Sequence, residues 1–97
     1  MANLNEQGGQ WTEAEKRAVW VKGISIEKYD NSKWRRDKCG RAMDYDEFGN
    51  RDSEYGWEID HVVPVSKGGH DGIGNLQPLY WGNNVLKSDT LNWRCGS

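Results

Sequence analysis

The stretch Trp57-Glu58-Ile59-Asp60-His61-Val62-Val63-Pro64-Val65-Ser66-Lys67-Gly68-Gly69 decides the reading of the chain, with Asn75-Leu76-Gln77-Pro78-Leu79 and Asn83-Asn84-Val85-Leu86-Lys87 behind it. Residues 57–63 are rich in β-branched and aromatic side chains, which suit a pleated, half-buried surface and predict a strand. Pro64 cannot donate to a ladder, so the strand ends or lies at an edge there. Four glycines between positions 66 and 74 predict a loop with close backbone turns. Residues 75–80 predict a second short strand. Residues 81–89 predict a helix with Val85 and Leu86 inward and Lys87 outward, leaving 90–97 as a tail. Neighbours on a regular strand face opposite sides, so Asp60 and His61 can serve one site only if the strand bends or stops. Irregular backbone is expected from His61 onward.

Upstream, Trp11 to Gly23 predicts a helix. Thr12 is placed as its cap, and Glu15 three residues later completes a capping box. Trp11 is placed to staple the first turn. Ala14, Ala18 and Val21 would share the buried face, flanked by Trp11 and Trp20. Gly23 after Lys22 reads as a helix stop. Ile24, Ile26 and Tyr29 suit a short strand or a turn, and Asp30-Asn31-Ser32 marks a turn. Arg41 to Tyr45 suits another strand, and Gly49-Asn50 another turn.

Ninety-seven residues make one domain with a modest core. Residues 1–10 are polar and expected to be flexible, and 11–97 form the domain. Hydrophobic residues are only 35 %, but six Trp, four Tyr and one Phe each bury a large apolar area. The net charge of −2 argues mildly against nucleic-acid binding. Its distribution softens that: Lys33, Arg35, Arg36, Lys38 and Arg41 fall close together, with Trp34 among them. Such a local patch suits phosphate contact and stacking; the plainer reading is a solvated face of ion pairs. No apolar run reaches the ~20 residues of a membrane span, and the N-terminus lacks the charge and apolar pattern of a signal peptide. Cytoplasmic location with reduced thiols is the default expectation. The pairing of Cys39 and Cys95 does not follow from their spacing.

Asn75 stands fourteen residues after His61, and Asn84 nine after Asn75. These spacings, the Asp60-His61 pair and the Pro, Ser-Lys-Gly-Gly and Asn-Leu punctuation resemble the HNH endonuclease motif, the ββα-metal or His-Me finger core. The match covers residues 57–89. The family closes its pattern with His or Asn, and Asn84 makes this chain similar to the HNN variant. The resemblance implies an α+β fold, a ββα core with an N-terminal helix and a basic aromatic segment.

Hydrolysis of a phosphodiester needs a base for water, positive charge on the phosphoryl oxygens and help for the leaving alkoxide. His61 is the one good base of the stretch near neutral pH, and the resemblance gives it that role. Asp60 offers an anionic oxygen and Asn84 a neutral one. Two hard oxygens with open positions suit Mg²⁺, Mn²⁺ or another divalent ion, and the resemblance implies metal there. Asn75 is expected to brace the loop and orient His61 through backbone groups. Lys67 and Lys87 are candidates for holding phosphates, beside Lys33, Arg35, Arg36 and Lys38; an exposed solvated lysine is the plainer reading of each. Asn83 adjoins Asn84 and reads as a cap or a solvent-facing amide. His70 and Asp71 read as loop residues, the latter as a hydrogen bonder.

Many members of that family hold a structural zinc with two Cys-x-x-Cys pairs. Here the downstream pair falls on Tyr80 and Asn83. Upstream only Cys39 remains, with Arg36 and Ala42 three positions to either side. No structural zinc is expected. Trp34, Tyr45, Trp57, Tyr80, Trp81 and Trp93 are expected to supply the missing stabilisation, and Cys39 and Cys95 read as separate thiols, with a bridge as the alternative in an oxidising setting.

The resemblance thus implies a small endonuclease or nickase acting on DNA, double-stranded first, with RNA as an alternative. Cutting both strands would need two sites and hence a homodimer. The other reading is a DNA-binding accessory module with little activity of its own. Small members of the family resemble parts of phage packaging, restriction and mobile-element systems, which implies a partner protein.

Overall fold

The computed structural model describes residues 3–96. Its elements are α1 (Glu13–Trp20), β1 (Ile24–Ser25), β2 (Trp34–Arg36), β3 (Ala42–Asp44), β4 (Trp57–His61), β5 (Leu76–Tyr80) and α2 (Trp81–Lys87). β1, β2 and β3 form one antiparallel sheet, and β4 and β5 form a second. The β4–β5 ladder runs from Trp57 opposite Tyr80 to His61 opposite Leu76. A hairpin followed at once by a helix is the ββα unit expected, within an α+β fold. Among the described residues, no helix is long and apolar enough to cross a membrane.

The capping box of α1 is formed. The Glu15 amide donates to Thr12 Oγ1 at 3.1 Å, and the Thr12 amide donates to Glu15 Oε1 at 2.8 Å. The buried face differs from the one expected. Val19 and Trp20 are buried, together with Trp11 just before the helix, while Ala14, Ala18 and Val21 are exposed. In a helix of two turns, the two indoles and one valine fill the space that small alanines would leave empty. Gly23 also has another purpose than stopping the helix. A Cβ there would stand 3.0 Å from Arg35 Cβ, so the glycine lets β1 approach β2.

The core gathers around Trp57, which is wholly buried. Its ring centroid lies 4.9 Å from that of Trp20, 5.6 Å from Tyr45 and 4.9 Å from Phe48. Its indole N–H donates to the Tyr45 carbonyl at 3.0 Å, so the polar edge of this large side chain is not left unpaired. Met43, Ile59 and Leu76 complete the cluster.

Two side chains tie the ends of the fold together. Asp37 is buried in the turn between β2 and β3. Its Oδ1 accepts from the amides of Cys39 and Arg41, each at 2.9 Å. Its Oδ2 accepts from the Tyr80 amide at 3.0 Å and from Asn83 Nδ2 at 2.9 Å. A carboxylate thus joins this turn to the start of α2, at Tyr80 and Asn83. This hydrogen-bonded node stands beside the aromatic packing expected to stabilise the fold. Cys39 and Cys95, read above as separate thiols, form a disulfide with Cα atoms 5.4 Å apart. The tail folds back because Trp93 is buried, with the Lys38 ammonium 5.4 Å from its ring centroid. That docking sets Cys95 beside Cys39.

The face of α2 is the reverse of the one expected. Val85 and Leu86 are 49 % and 60 % exposed, while Lys87 is 2 % exposed. Asn83, Asn84 and Lys87 point inward because each tip finds a partner there: Asp37, Glu58 and Asp60. Of residues 1–10, expected to be flexible, 1 and 2 lie outside the described residues, and Asn3 has a specific partner. Asn3 donates to the Ile59 carbonyl at 2.9 Å and accepts from the Ile59 amide at 2.6 Å, pairing like a short strand along the free edge of β4.

Candidate active site

β4 stops at His61, and the backbone after it is irregular as far as a single 3₁₀ turn at Val65–Lys67. Asn75 closes the loop that follows. Its Oδ1 accepts from the Val63 amide at 2.8 Å, and its Nδ2 donates to the carbonyls of Val63 and His70 at 3.1 and 2.9 Å. One carboxamide therefore pins both arms of the loop. Gly69 makes the closure possible, since a Cβ there would overlap the Val63 carbonyl oxygen at 1.7 Å. Gly68 beside it has φ +92°, in the left-handed region that favours glycine.

The strand end brings Asp60 and His61 to a cleft of about 270 Å³ that Asn84, Ser66, Ser88 and Asp89 also line. It is not the largest concavity. A groove of about 350 Å³ lined by Tyr29, Trp34, Arg36 and Tyr55 is larger but offers no carboxylate, imidazole or thiol. Chemistry, not size, selects the cleft.

Asp60 is buried and fully engaged. Gln77 Nε2 donates to its Oδ2 at 2.9 Å, and Lys87 Nζ lies 3.2 Å from its Oδ1. Burial pushes the Asp60 carboxyl above the usual carboxylate range, while the Gln77 amide and the Lys87 ammonium act against that shift. Asn84 is oriented from behind. Its Nδ2 donates to Glu58 Oε1 at 2.8 Å, which commits the amide nitrogen and leaves the carbonyl oxygen as the free end. Glu58 is in turn gripped by Arg51 through two bonds of 2.8 Å. Asn83 is turned to Asp37, so of the two adjacent asparagines Asn84 is the one at the cleft.

His61 Nε2 lies 2.7 Å from Asp71 Oδ1. Trp11 flanks the imidazole, with ring centroids 5.8 Å apart and planes tilted by 41°. Asp71, Gln77, Glu58 and Arg51 were not singled out as site residues in the sequence. Glu58 had a signal, since it shares its strand face with Asp60 two residues on. Asp71 had none, because its approach depends on how the glycine loop closes.

The basic residues are divided. Lys87 is buried against Asp60 and the His61 carbonyl, so its expected outward position and phosphate contact are corrected. Lys33 pairs with Asp44 and Asp46 at 3.0 and 3.2 Å. Arg35 donates to the carbonyls of Asn31 and Gly23. Arg36, exposed at the end of β2, donates to the Gly40 carbonyl at 3.0 Å; Lys38 is exposed on the turn, and Lys67 stands half-exposed, 3.9 Å from Asp89. The patch therefore presents fewer free cations than its composition suggests.

A strand hairpin feeding a helix, with an acid and an imidazole at the strand end and a carboxamide on the helix around one cleft, defines the ββα type of nuclease core. A family model described as HNH endonuclease matches residues 38–90, more than half of the chain, and the protein belongs to the HNH endonuclease family. No curated protein and no solved structure matches the chain. Membership points to nuclease or DNA-binding function, in a family that usually binds a divalent metal. Among the described residues, no three His, Cys, Asp or Glu side chains gather into a metal cluster. The cleft offers oxygen donors of another kind, the carboxylates of Asp60 and Asp89 and the carboxamide of Asn84. Hard oxygen donors of this kind are chemically suited to a divalent cation.

Proposed function

We propose that the protein is a divalent-metal-dependent endonuclease that hydrolyses DNA phosphodiester bonds, as a nickase when it acts alone. The observation that supports this most directly is the meeting of Asp60, His61 and Asn84 on one cleft. Asp60 and Asn84 would hold the metal. When bound, such an ion neutralises charge on the phosphoryl oxygens and eases departure of the alkoxide. His61 acts as the base: its imidazole takes a proton from water as the water oxygen bonds to phosphorus. The bond from phosphorus to the 3′ oxygen breaks, and that oxygen takes a proton from solvent. The products, by family resemblance, are a 5′-phosphate and a 3′-hydroxyl. Asn75 acts on His61 only through the loop it pins.

One observation favours a second reading. The Lys87 ammonium already sits on Asp60, and a resident cation opposes a second one at the same carboxylate. A DNA-binding accessory module with weak intrinsic activity, aided by a partner protein, would tolerate that. Incubation with supercoiled plasmid and Mg²⁺ or Mn²⁺ separates the two. Nicked circles that vanish with chelator, and in His61→Ala with binding retained, support the enzyme. Full cleavage by His61→Ala removes the base assignment, and binding without nicking favours the module.

A further inference from the structure

We propose that Asp71 is a positioning residue that makes His61 one half of a carboxylate–imidazole pair. The proposal rests on the reading of His61 as the base. An ionised carboxylate only accepts hydrogen bonds, so at 2.7 Å the His61 nitrogen facing Asp71 Oδ1 carries the hydrogen. Nε2 is therefore the donor. In the neutral ring, Nδ1 is then the bare nitrogen, the one able to take a proton from water.

The carboxylate is itself held. The Glu6 amide donates to both of its oxygens, at 3.1 and 3.3 Å. The backbone carrying it is fixed on both sides. Gly72 donates its amide to His70 Nδ1 at 2.9 Å, and Asn75 Nδ2 donates to the His70 carbonyl. The pair is sheltered, with side chains 12 % and 27 % exposed for His61 and Asp71. With Trp11 beside the ring and Asp71 on Nε2, the imidazole is held in place with one tautomer and a negative charge behind it. As water gives its proton to Nδ1, positive charge spreads over the ring, and Asp71 stabilises it without taking the proton itself. The glycine loop thereby gains a purpose: it returns Asp71 to the strand end it left.

The test compares wild type, Asp71→Asn, His61→Ala and the double variant on supercoiled plasmid at saturating Mn²⁺. Asp71→Asn should lower kcat by about 10- to 100-fold, part of what general base catalysis supplies, with KM and melting temperature unchanged. Added to His61→Ala, it should change nothing further, because both act through one imidazole. Wild-type turnover by Asp71→Asn would overturn the proposal, as would an equal loss in both backgrounds, which marks a merely structural role. A readout without turnover uses the imidazole ¹⁵N spectrum of the metal-free protein. It should show Nε2 protonated in wild type and mixed tautomers in Asp71→Ala; an Nδ1-protonated wild type would overturn the pairing. A wild type that fails to nick, with the expected spectrum, would remove the nuclease reading and leave the Asp71–His61 pair standing.

Discussion

The ammonium of Lys87 lies 3.2 Å from Oδ1 of Asp60, with both side chains almost fully buried, and it also donates to the His61 carbonyl at 2.9 Å. One buried cation thus neutralises the acid and satisfies the backbone where β4 leaves its ladder. Removing it strands a carboxylate and a carbonyl together. Breaking a buried pair from one side costs about 3–5 kcal/mol. Lys87→Met should lose that much in urea unfolding. A loss under about 1 kcal/mol would mean that the pair behaves like a solvent-exposed one.

Asp37 should tolerate no isostere. All four of its partners are N–H donors, two for each oxygen. Asparagine would turn an NH₂ group toward two of those donors, leaving a buried clash of like dipoles. Asp37→Asn and Asp37→Ala should each destabilise by about 3 kcal/mol or more, since a buried unsatisfied group costs about 1–3 kcal/mol and several are created. Thermal melts of both variants check this. An Asp37→Asn variant as stable as wild type would show that the node does not hold α2.

The hairpin and helix were legible because β-branched runs, Pro64 and the glycine loop constrain the backbone locally. That Asp60, His61 and Asn84 would share a site was implied by the resemblance to the HNH motif, and the three line one cleft. What escaped has physical reasons. The inward face of α2 is polar, so a hydrophobic pattern selects the wrong side, Val85 and Leu86 in place of Asn84 and Lys87. The alanines of α1 marked a face, but two indoles outweigh them in buried area. Composition left the basic run open between a phosphate-contacting patch and a face of ion pairs, and in the fold Asp44, Asp46 and nearby carbonyls engage Lys33 and Arg35. Neither the Asp71 contact nor the disulfide follows from separation along the chain, since loop closure and tail docking decide them.

Glu58 should matter to metal binding without touching metal. It takes the Asn84 amide nitrogen at 2.8 Å and so presents the carbonyl oxygen to the cleft. Loss of such supporting partners typically weakens metal affinity by about 10- to 100-fold. Glu58→Gln should raise the Mn²⁺ concentration needed for half-maximal binding in calorimetry by about that range. An unchanged Mn²⁺ isotherm would detach Glu58 from the site and count against Asn84 as a ligand.

Tyr45 should give the fold an alkaline limit. Its hydroxyl donates to Glu13 Oε1 at 2.6 Å, and burial, then that bond, pushes the phenol up to about 12 from 10.0. A folded value above the unfolded one means stability that is complete below the unfolded value and lost as pH rises through the folded value. The loss should therefore develop between pH 10.0 and about 12. Melting temperature measured across that window should fall less steeply in Tyr45→Phe than in wild type. Parallel curves would show that Tyr45 ionises without cost to the fold.

The Cys39–Cys95 bridge joins residues 56 positions apart, so it closes most of the domain into one loop. The chain-entropy relation for a loop of that size gives about 4 kcal/mol of stabilisation. In a domain of this length, that corresponds to more than about 10 °C in melting temperature. A reducing cytoplasm, the compartment expected from the sequence, would open the bridge, whereas an oxidising compartment would keep it. The stabilisation should be separable from the site. Asp37 holds the turn to α2 with four hydrogen bonds that do not involve sulfur, and the bridge adds only the tail beyond α2. Thiol reductant, or the Cys39→Ser and Cys95→Ser double variant, should therefore lower the melting temperature while leaving plasmid nicking at low temperature near the wild-type rate. Loss of nicking in a double variant that remains folded would show that the bridge, not Asp37, sets the position of α2 and of Asn84 upon it.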